Sequence, residues 1–335
     1  MKRVTIKDLG KMLHLSVSTI SRALNDHPDI SDETRLRVKE TARAFNYRPN
    51  LQARFFRKKH SGLLALIMPE INMFYAPSLI EGINKTIGDS NYSLVMFQSD
   101  NSVLKEKQII EQCISWAVEG VMISVAADSN PSNVEHLSEL NYADIKCLQF
   151  DRIVTDTDYS SITIDNLESA RIATAHLIKN GHRNIIGLFG HKDLSITIQR
   201  ELGFRSAFEK AGIPIVNQKI IKFDQPQTVN EVLPKLIKSK KYTALFAMTD
   251  EALYYATNTL RRLKISIPEE LSVIAISDGI FTKQFFPQIT HIEDSGKKMG
   301  KAIVEKLIKM INSKEIHSHQ VLNTQLVELG SVKKL

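Results

Sequence analysis

A chain of 335 residues, 43% hydrophobic and 24% charged, has the composition of an ordinary globular protein and room for a small domain plus one large or two medium ones. No apolar run approaches the roughly eighteen residues of a membrane span, the start MKRVTIKDLG lacks the apolar core of an export signal, and two cysteines, Cys113 and Cys147, are too few for a disulfide framework or a thiolate metal site, so a cytoplasmic protein with reduced thiols is expected. The net charge of +7 is unevenly spread: residues 1–60 hold 14 Lys and Arg against 6 Asp and Glu, residues 61–335 hold 30 against 31, and a basic module that grips phosphate is therefore attached to a near-neutral body.

The first elements read as short helices. Thr5 caps a helix beginning at Ile6, with Asp8 in its first turn and Ile6, Leu9 and Leu13 on one face. Ser16 caps a second, in which Val17, Ile20, Ala23 and Leu24 form an apolar stripe while Ser18, Thr19, Ser21, Arg22 and Asn25 face outward. Two helices separated by about three residues describe a helix-turn-helix. Ser31 opens a third helix to about Phe45, with Leu36, Val38, Ala42 and Phe45 expected to complete a three-helix core. Basic residues punctuated by turns favour nucleic acid over a lipid surface as the anionic partner. After Tyr47-Arg48-Pro49, Asn50 can cap one helix of about two turns, too short to persist in water unless something packs on it.

From Ser61 onward apolar runs alternate with amphipathic helices. The runs lie at 63–68, 93–97, 120–125 and 145–150, then at 184–189, 219–223, 243–248 and 271–276. Helical stretches fall near 76–89, 103–118, 166–180, 196–212, 228–239 and 250–263. Alternation of this kind implies parallel sheets covered by helices, here two doubly wound lobes with ligands at the carboxyl ends of their strands. After Pro287 an extended stretch, a helix near 295–312 and two short strand-like segments are expected to cross back between the lobes.

The segment VTIKDLGKMLHLSVSTISRALNDHPDISDETRLRVKETARAFNYRPN closely resembles the headpiece of the lactose-repressor (LacI/GalR) family of bacterial transcription regulators. MPEINMFYAPSLIEGI, FDR at 150–152, ITIDN at 162–166, LIKNGHRNIIGLFG, GFRSAFEKAGI, TDEAL and the segment from Ile267 to Ile292 follow in that family's order and spacing. The resemblance implies an all-α helix-turn-helix headpiece at 1–48, a hinge helix and linker at 49–60, and an α/β body at 61–335 like a type I periplasmic binding protein. Its first lobe would take about 61–160 and 291–320, its second about 161–290 and 321–335. No leucine-heptad helix is evident before Leu335, so a homodimer on a palindromic double-stranded operator is expected, in the bacterial cytoplasm at the nucleoid and not at a membrane.

Carried over residue by residue, the resemblance gives Val17, Ser18 and Arg22 the reading of base edges, and Thr5, Ser16, Thr19, Ser21 and Asn25 contacts to phosphate or supporting groups. Arg pairs with guanine O6 and N7, Val packs on a thymine methyl, and short hydroxyls bond phosphate. In the hinge, Phe56 stands where the family usually has a minor-groove Leu wedge, with Asn50, Ala53 and Arg54 beside it. In the interlobe cleft the resemblance points to Asn72, Phe74, Tyr75, Asp151, Arg152, Arg200, Thr249 and Asp250. There Ser277 replaces an acidic residue common in the family. Arg, Asp and an aromatic wall suit a polyol, so the implied effector is a sugar or sugar derivative. Effector binding would alter lobe closure and, through the hinge, operator affinity.

The sequence contains no Gly-rich phosphate loop, no G-x-S-x-G elbow and no H-E-x-x-H. His317-Ser318-His319 lies in a polar stretch and Glu269-Glu270 in a loop. No catalytic residue, metal ligand or cofactor is therefore assigned.

Overall fold

The structure, a computed structural model, describes residues 4–47, 61–71, 74–88, 90–126, 134–155, 157–313 and 317–335. The chain divides after Ser61 into two units, Met1–Ser61 and Gly62–Leu335. The hinge positions Asn50, Ala53, Arg54 and Phe56, and Asn72 at the cleft, lie outside the described residues.

In the first unit α1 spans Ile6–Leu13, α2 Val17–Leu24 and α3 Asp32–Ala44. Each start is set by a hydroxyl cap. Thr5 and Asp8 form a reciprocal capping box, and Ser16 and Ser31 each accept the amide three residues on. His14, in the left-handed region at φ 51°, ends α1. The turn runs so close to α1 that a Cβ at Gly10 would sit 2.9 Å from the Leu15 carbonyl oxygen. Leu9, Leu13, Ile20, Ala23, Val38 and Ala42 form the buried core. Two of the residues expected in that core are instead exposed, Leu36 at 60% and Phe45 at 50%. Leu36 lies two residues from Val38, on the far side of a 3.6-residue helix, and Phe45 is the cap beyond the last helical turn.

The second unit holds β1 (Leu63–Met68), α4 (Tyr75–Gly88), β2 (Ser93–Gln98), α5 (Val103–Ser115), β3 (Gly120–Ile123), α6 (Ser138–Tyr142), β4 (Lys146–Phe150) and β5 (Ser160–Ile164). There follow α7 (Asn166–Lys179), β6 (Ile185–Phe189), α8 (Ser195–Lys210), β7 (Lys219–Lys222), α9 (Pro226–Lys238), β8 (Ala244–Ala247), α10 (Asp250–Arg262) and β9 (Ser272–Ser277). The chain closes with β10 (Thr290–Glu293), α11 (Gly296–Asn312), β11 (His319–Leu322) and β12 (Gln325–Val327). One sheet has the order β11-β5-β4-β3-β1-β2 and the other β12-β10-β9-β8-β6-β7. Every pairing is parallel except β10 with β12. Central strands such as β1, β6, β8 and β9 are buried along almost their whole length, as strands covered by helices on both faces must be.

The chain passes between the sheets three times. The first crossing follows β5, which pairs with β4 and so belongs to the first sheet, not to a second lobe starting at 161. The second follows β10, which pairs with β9 and keeps 290–293 in the second sheet, where 291 had been expected to open the return to the first lobe. The third lies between β11 and β12. The sequence Ser-Ser-Ile-Thr-Ile of β5 is fully buried yet only two-fifths apolar, so a search for apolar runs passes over it. After the second crossing α11 lies against α4 so tightly that a Cβ at Gly300 would meet the Leu79 carbonyl oxygen at 2.3 Å. Both cysteines are buried and unpaired, and burial pushes both thiols up to about 12, which leaves them inert.

Candidate functional site

Within the headpiece, α2 separates its two faces cleanly. Ile20 and Ala23 are buried, while Val17, Ser18, Arg22 and Asn25 are exposed and Thr19 and Ser21 half-buried. The Arg22 side chain is 57% exposed and its nearest anionic partner, Asp29, is 4.0 Å away. Other polar groups on this unit are already engaged. Ser16 Oγ accepts the Thr19 amide at 3.0 Å and lies 2.7 Å from Ser18 Oγ and 2.8 Å from Thr19 Oγ1. Thr5 Oγ1 donates to Asp8 at 2.7 Å, and Asn25 Nδ2 donates to the Ser21 carbonyl at 2.7 Å. The structure thus gives Thr5, Ser16 and Asn25 a helix-shaping duty, and a phosphate contact there would compete with existing bonds.

In the body, a cavity of about 360 Å³ opens at the carboxyl ends of the strands of both sheets. Pro69 and Glu70 follow β1, Ser124 follows β3, Asp151 and Arg152 follow β4, Thr249 precedes α10, Ser277 ends β9 and Asp294 follows β10. All the described residues expected at an effector site line it: Phe74, Tyr75, Asp151, Arg152, Arg200, Thr249, Asp250 and Ser277. Phe74 and Asp151 hold φ at 59° and 56°, left-handed values that strain non-glycine backbone and occur at constrained sites. The Phe74 ring, which lines the cavity with Tyr75 and Tyr255, packs on Tyr254, with centroids 5.9 Å apart, and on Phe281, 6.0 Å apart.

Arg200 is 3% exposed and fastens the floor of the cavity. Its Nε donates to Asn166 Oδ1 at 2.8 Å, Nη1 to the Met248 carbonyl, and Nη2 to Asp294 Oδ2 at 3.3 Å. Asn166 stands just past the first crossing and Asp294 at the second, so one guanidinium joins two of the three segments on which the lobes turn. Arg152 Nη1 donates to Asn101 Oδ1 at 2.7 Å, and Asn101 Nδ2 to Glu70 at 3.1 Å.

The cavity is richer in acid than in base. Glu70, Asp151, Asp250, Glu251, Asp278 and Asp294 line it, against Arg152 and Arg200. Burial pushes Asp250 up to about 7, with the Asp278 charge adding to it and a hydrogen bond from Ser277 opposing it. Burial likewise pushes Asp294 up to about 6, against the pull of Arg200. Asp151 is raised by desolvation and held back by Arg152 and Arg200. Burial raises Tyr75 well above the usual phenol value. Tyr75 Oη and Asp250 Oδ1 are shut from solvent and have no hydrogen-bond partner among the described residues. Asp250 Oδ2 accepts the Asp278 amide at 3.2 Å, and Ser277 Oγ accepts the Gly279 amide at 3.1 Å.

The Asp250 shift has a testable sign. A carboxyl whose folded value, about 7, exceeds the unfolded 3.8 favours folding fully below pH 3.8 and loses that contribution as pH rises through 7. Asp250→Asn removes the titration, so its melting temperature should exceed that of the natural protein by roughly 3–6 °C near pH 8, equivalent to about 1–2 kcal/mol, and match it near pH 4. Thermal denaturation of the two proteins across that range checks it; a pH-independent difference would contradict it.

Sequence reading missed Asp294, Glu70, Ser124, Ile196, Glu251, Asp278 and Tyr255 as lining residues. Asp294 was within reach: it directly follows a segment already recognised as extended, the position where cleft residues sit in open α/β sheets. Glu251 and Tyr255 share one face of a helix with no feature beyond helical spacing to mark them. Among the described residues no group of three or more His, Cys, Asp or Glu is arranged to hold a metal ion, and no helix is long and apolar enough to cross a membrane.

Comparison with known proteins agrees with this geometry. Residues 5–50 match the model of bacterial regulatory proteins of the lacI family, and residues 174–332 that of a periplasmic binding protein-like domain, together more than half of the chain. The HTH-type transcriptional regulator RegA of Clostridium saccharobutylicum is 26% identical over 98% of each chain. The lac repressor dimer bound to operator and the anti-inducer ONPF superposes with a TM-score of 0.87 at 19% identity, over 99% of this chain and 100% of that one. A LacI-family regulator from Enterococcus faecium with bound ribose gives a TM-score of 0.73 at 19% identity, over 82% of this chain and 99% of that one. The chain thus joins a helix-turn-helix domain of the lacI family of bacterial regulatory proteins to a periplasmic binding protein-like domain.

Proposed function

We propose that the protein is a transcriptional repressor that binds an inverted-repeat operator as a homodimer, in the cytoplasm at the nucleoid, and that a small sugar-like molecule in the cleft sets its affinity. It regulates and does not catalyse. The observation that carries this reading is the division of α2, whose buried Ile20 and Ala23 anchor it while Val17, Ser18 and Arg22 stand unobstructed on a strongly basic unit. A helix so held can enter the major groove, where Arg and Val have distinct partners on base edges. Thr5, Ser16, Thr19, Ser21 and Asn25 would face phosphate, and Asn50, Ala53, Arg54 and Phe56 the minor groove.

The cleft supports the second half of the reading. Its lining offers charged donors, charged acceptors and an aromatic wall within a volume suited to a small polar molecule. Arg200 links Asn166 and Asp294 at two crossings, so a ligand bonded to it acts on the joints between lobes. The operator-bound dimer and the ribose-bound regulator among similar structures agree with both halves.

Selection of duplexes from a random pool by the full chain tests the proposal. Enrichment of two half-sites related by a two-fold axis is expected. Recovery of no common sequence would reject sequence-specific recognition, and recovery of a single unrepeated half-site would reject the dimer.

A further inference from the structure

The balance of charge in the cleft narrows the chemistry of its ligand. Six carboxyl groups line the cavity against two guanidinium groups. Both guanidinium groups already have partners in the protein: Arg152 donates to Asn101, and Arg200 to Asn166, Met248 and Asp294. A phosphorylated or carboxylated ligand would therefore face a surplus of like charge. Asp250 points the opposite way. It is 5% exposed, one of its oxygens has no hydrogen-bond partner among the described residues, and it lies in the wall of the cavity. Tyr75 Oη, also lining the cavity, is likewise shut from solvent and without a partner among them. An unsatisfied buried acceptor and an unsatisfied hydroxyl beside surplus negative charge call for a cationic donor.

We propose that the effector carries a protonated amine on a hydroxyl-bearing frame, in the manner of an amino sugar, and that its ammonium group lies against the open oxygen of Asp250. An ammonium supplies three donors and a positive charge, where a hydroxyl supplies one donor and none. One of its hydrogens can meet Asp250 Oδ1, and its charge offsets the acid excess. The hydroxyls of the frame find the remaining charged groups, and Phe74 covers its apolar face. This inference rests on the reading of the cleft as an effector site.

Thermal-shift and calorimetric titrations of the full chain near neutral pH test it with matched probes. D-glucosamine, D-galactosamine and D-mannosamine are compared with D-glucose, D-galactose and D-mannose and with the 6-phosphates of those hexoses. At least one amine is expected to bind about tenfold or more tightly than its parent sugar, with the phosphate weaker still. In Asp250→Asn the preference for the amine should fall to about threefold or less. A parent sugar that binds as tightly as its amine, a phosphate that binds more tightly, or no response to any amine would overturn the proposal. The first two results would leave a sugar-responsive regulator intact, whereas failure of duplex selection would remove the regulator reading itself.

Discussion

Arg200→Ala is expected to destabilise the body by about 3–5 kcal/mol, the cost of removing one partner from a buried ion pair. The guanidinium is 3% exposed and Asp294 8% exposed, so truncation strands a carboxylate away from water and also leaves the Met248 carbonyl and Asn166 Oδ1 short of a donor. At roughly 2–4 °C per kcal/mol, the melting temperature of the body should fall by about 8–15 °C. The defect carries a pH signature. Asp294 stands at about 6, above the unfolded 3.8, and Arg200 is the group that holds it down. Its contribution to stability is full below pH 3.8 and is lost as pH rises through 6. Without Arg200 the folded value climbs further and the loss deepens. The variant should therefore be closest to the natural protein near pH 5 and furthest from it near pH 8, and adding Asp294→Asn should recover part of the difference. Denaturation curves for both variants and their combination decide the matter; a loss below about 1 kcal/mol, or one constant with pH, would show that Arg200 does not hold the cavity floor.

The second large effect falls on DNA and leaves the fold untouched. Arg22 is more than half exposed and 4.0 Å from its only anionic neighbour among the described residues, so Arg22→Ala should change stability by less than about 0.5 kcal/mol. If the side chain reads a base edge, its loss removes about 1–3 kcal/mol of discrimination in each half-site. Affinity for the selected duplex should fall about tenfold or more, while affinity for random duplex changes little. Footprint titration on operators varied one base pair at a time should show relaxed preference at one symmetric pair of positions. Equal losses on selected and random DNA would instead make Arg22 a phosphate contact.

Most of the architecture was legible because its signals are local. The hydroxyl caps Thr5, Ser16 and Ser31 mark helix starts in the sequence and stand at the same starts in the structure. Apolar runs at 63–68, 184–189 and 243–248 became buried parallel strands. What escaped depends on tertiary context. β5 is buried by its neighbours β4 and β11 despite two serines and a threonine, and the bounds of the lobes shifted with it. The expected exposure pattern of α3 failed at Leu36 for a nearer reason, since helical periodicity alone places it opposite Val38.

The cleft was legible in part through family resemblance, which singled out Asp151, Arg200 and Asp250. Their electrostatics were not. Whether an acid is free, paired or stranded follows from which strands end beside it, and the Arg200 to Asp294 pair joins residues 94 apart in the chain. Ser277 illustrates the same limit. As a missing acid it reads as a lost ligand contact, yet in the fold it lines the cavity with Asp250 and opposes the upward push of burial on that carboxyl.

The most direct measurement is the affinity of the full chain for the selected duplex against a scrambled duplex of equal length, followed as salt is raised. A ratio of about 10³ or more near physiological salt is expected, with binding to the scrambled duplex fading as counterions compete for phosphate. A ratio near one at every salt concentration would mean that the basic unit holds DNA by charge alone, and would contradict sequence-specific regulation by this protein.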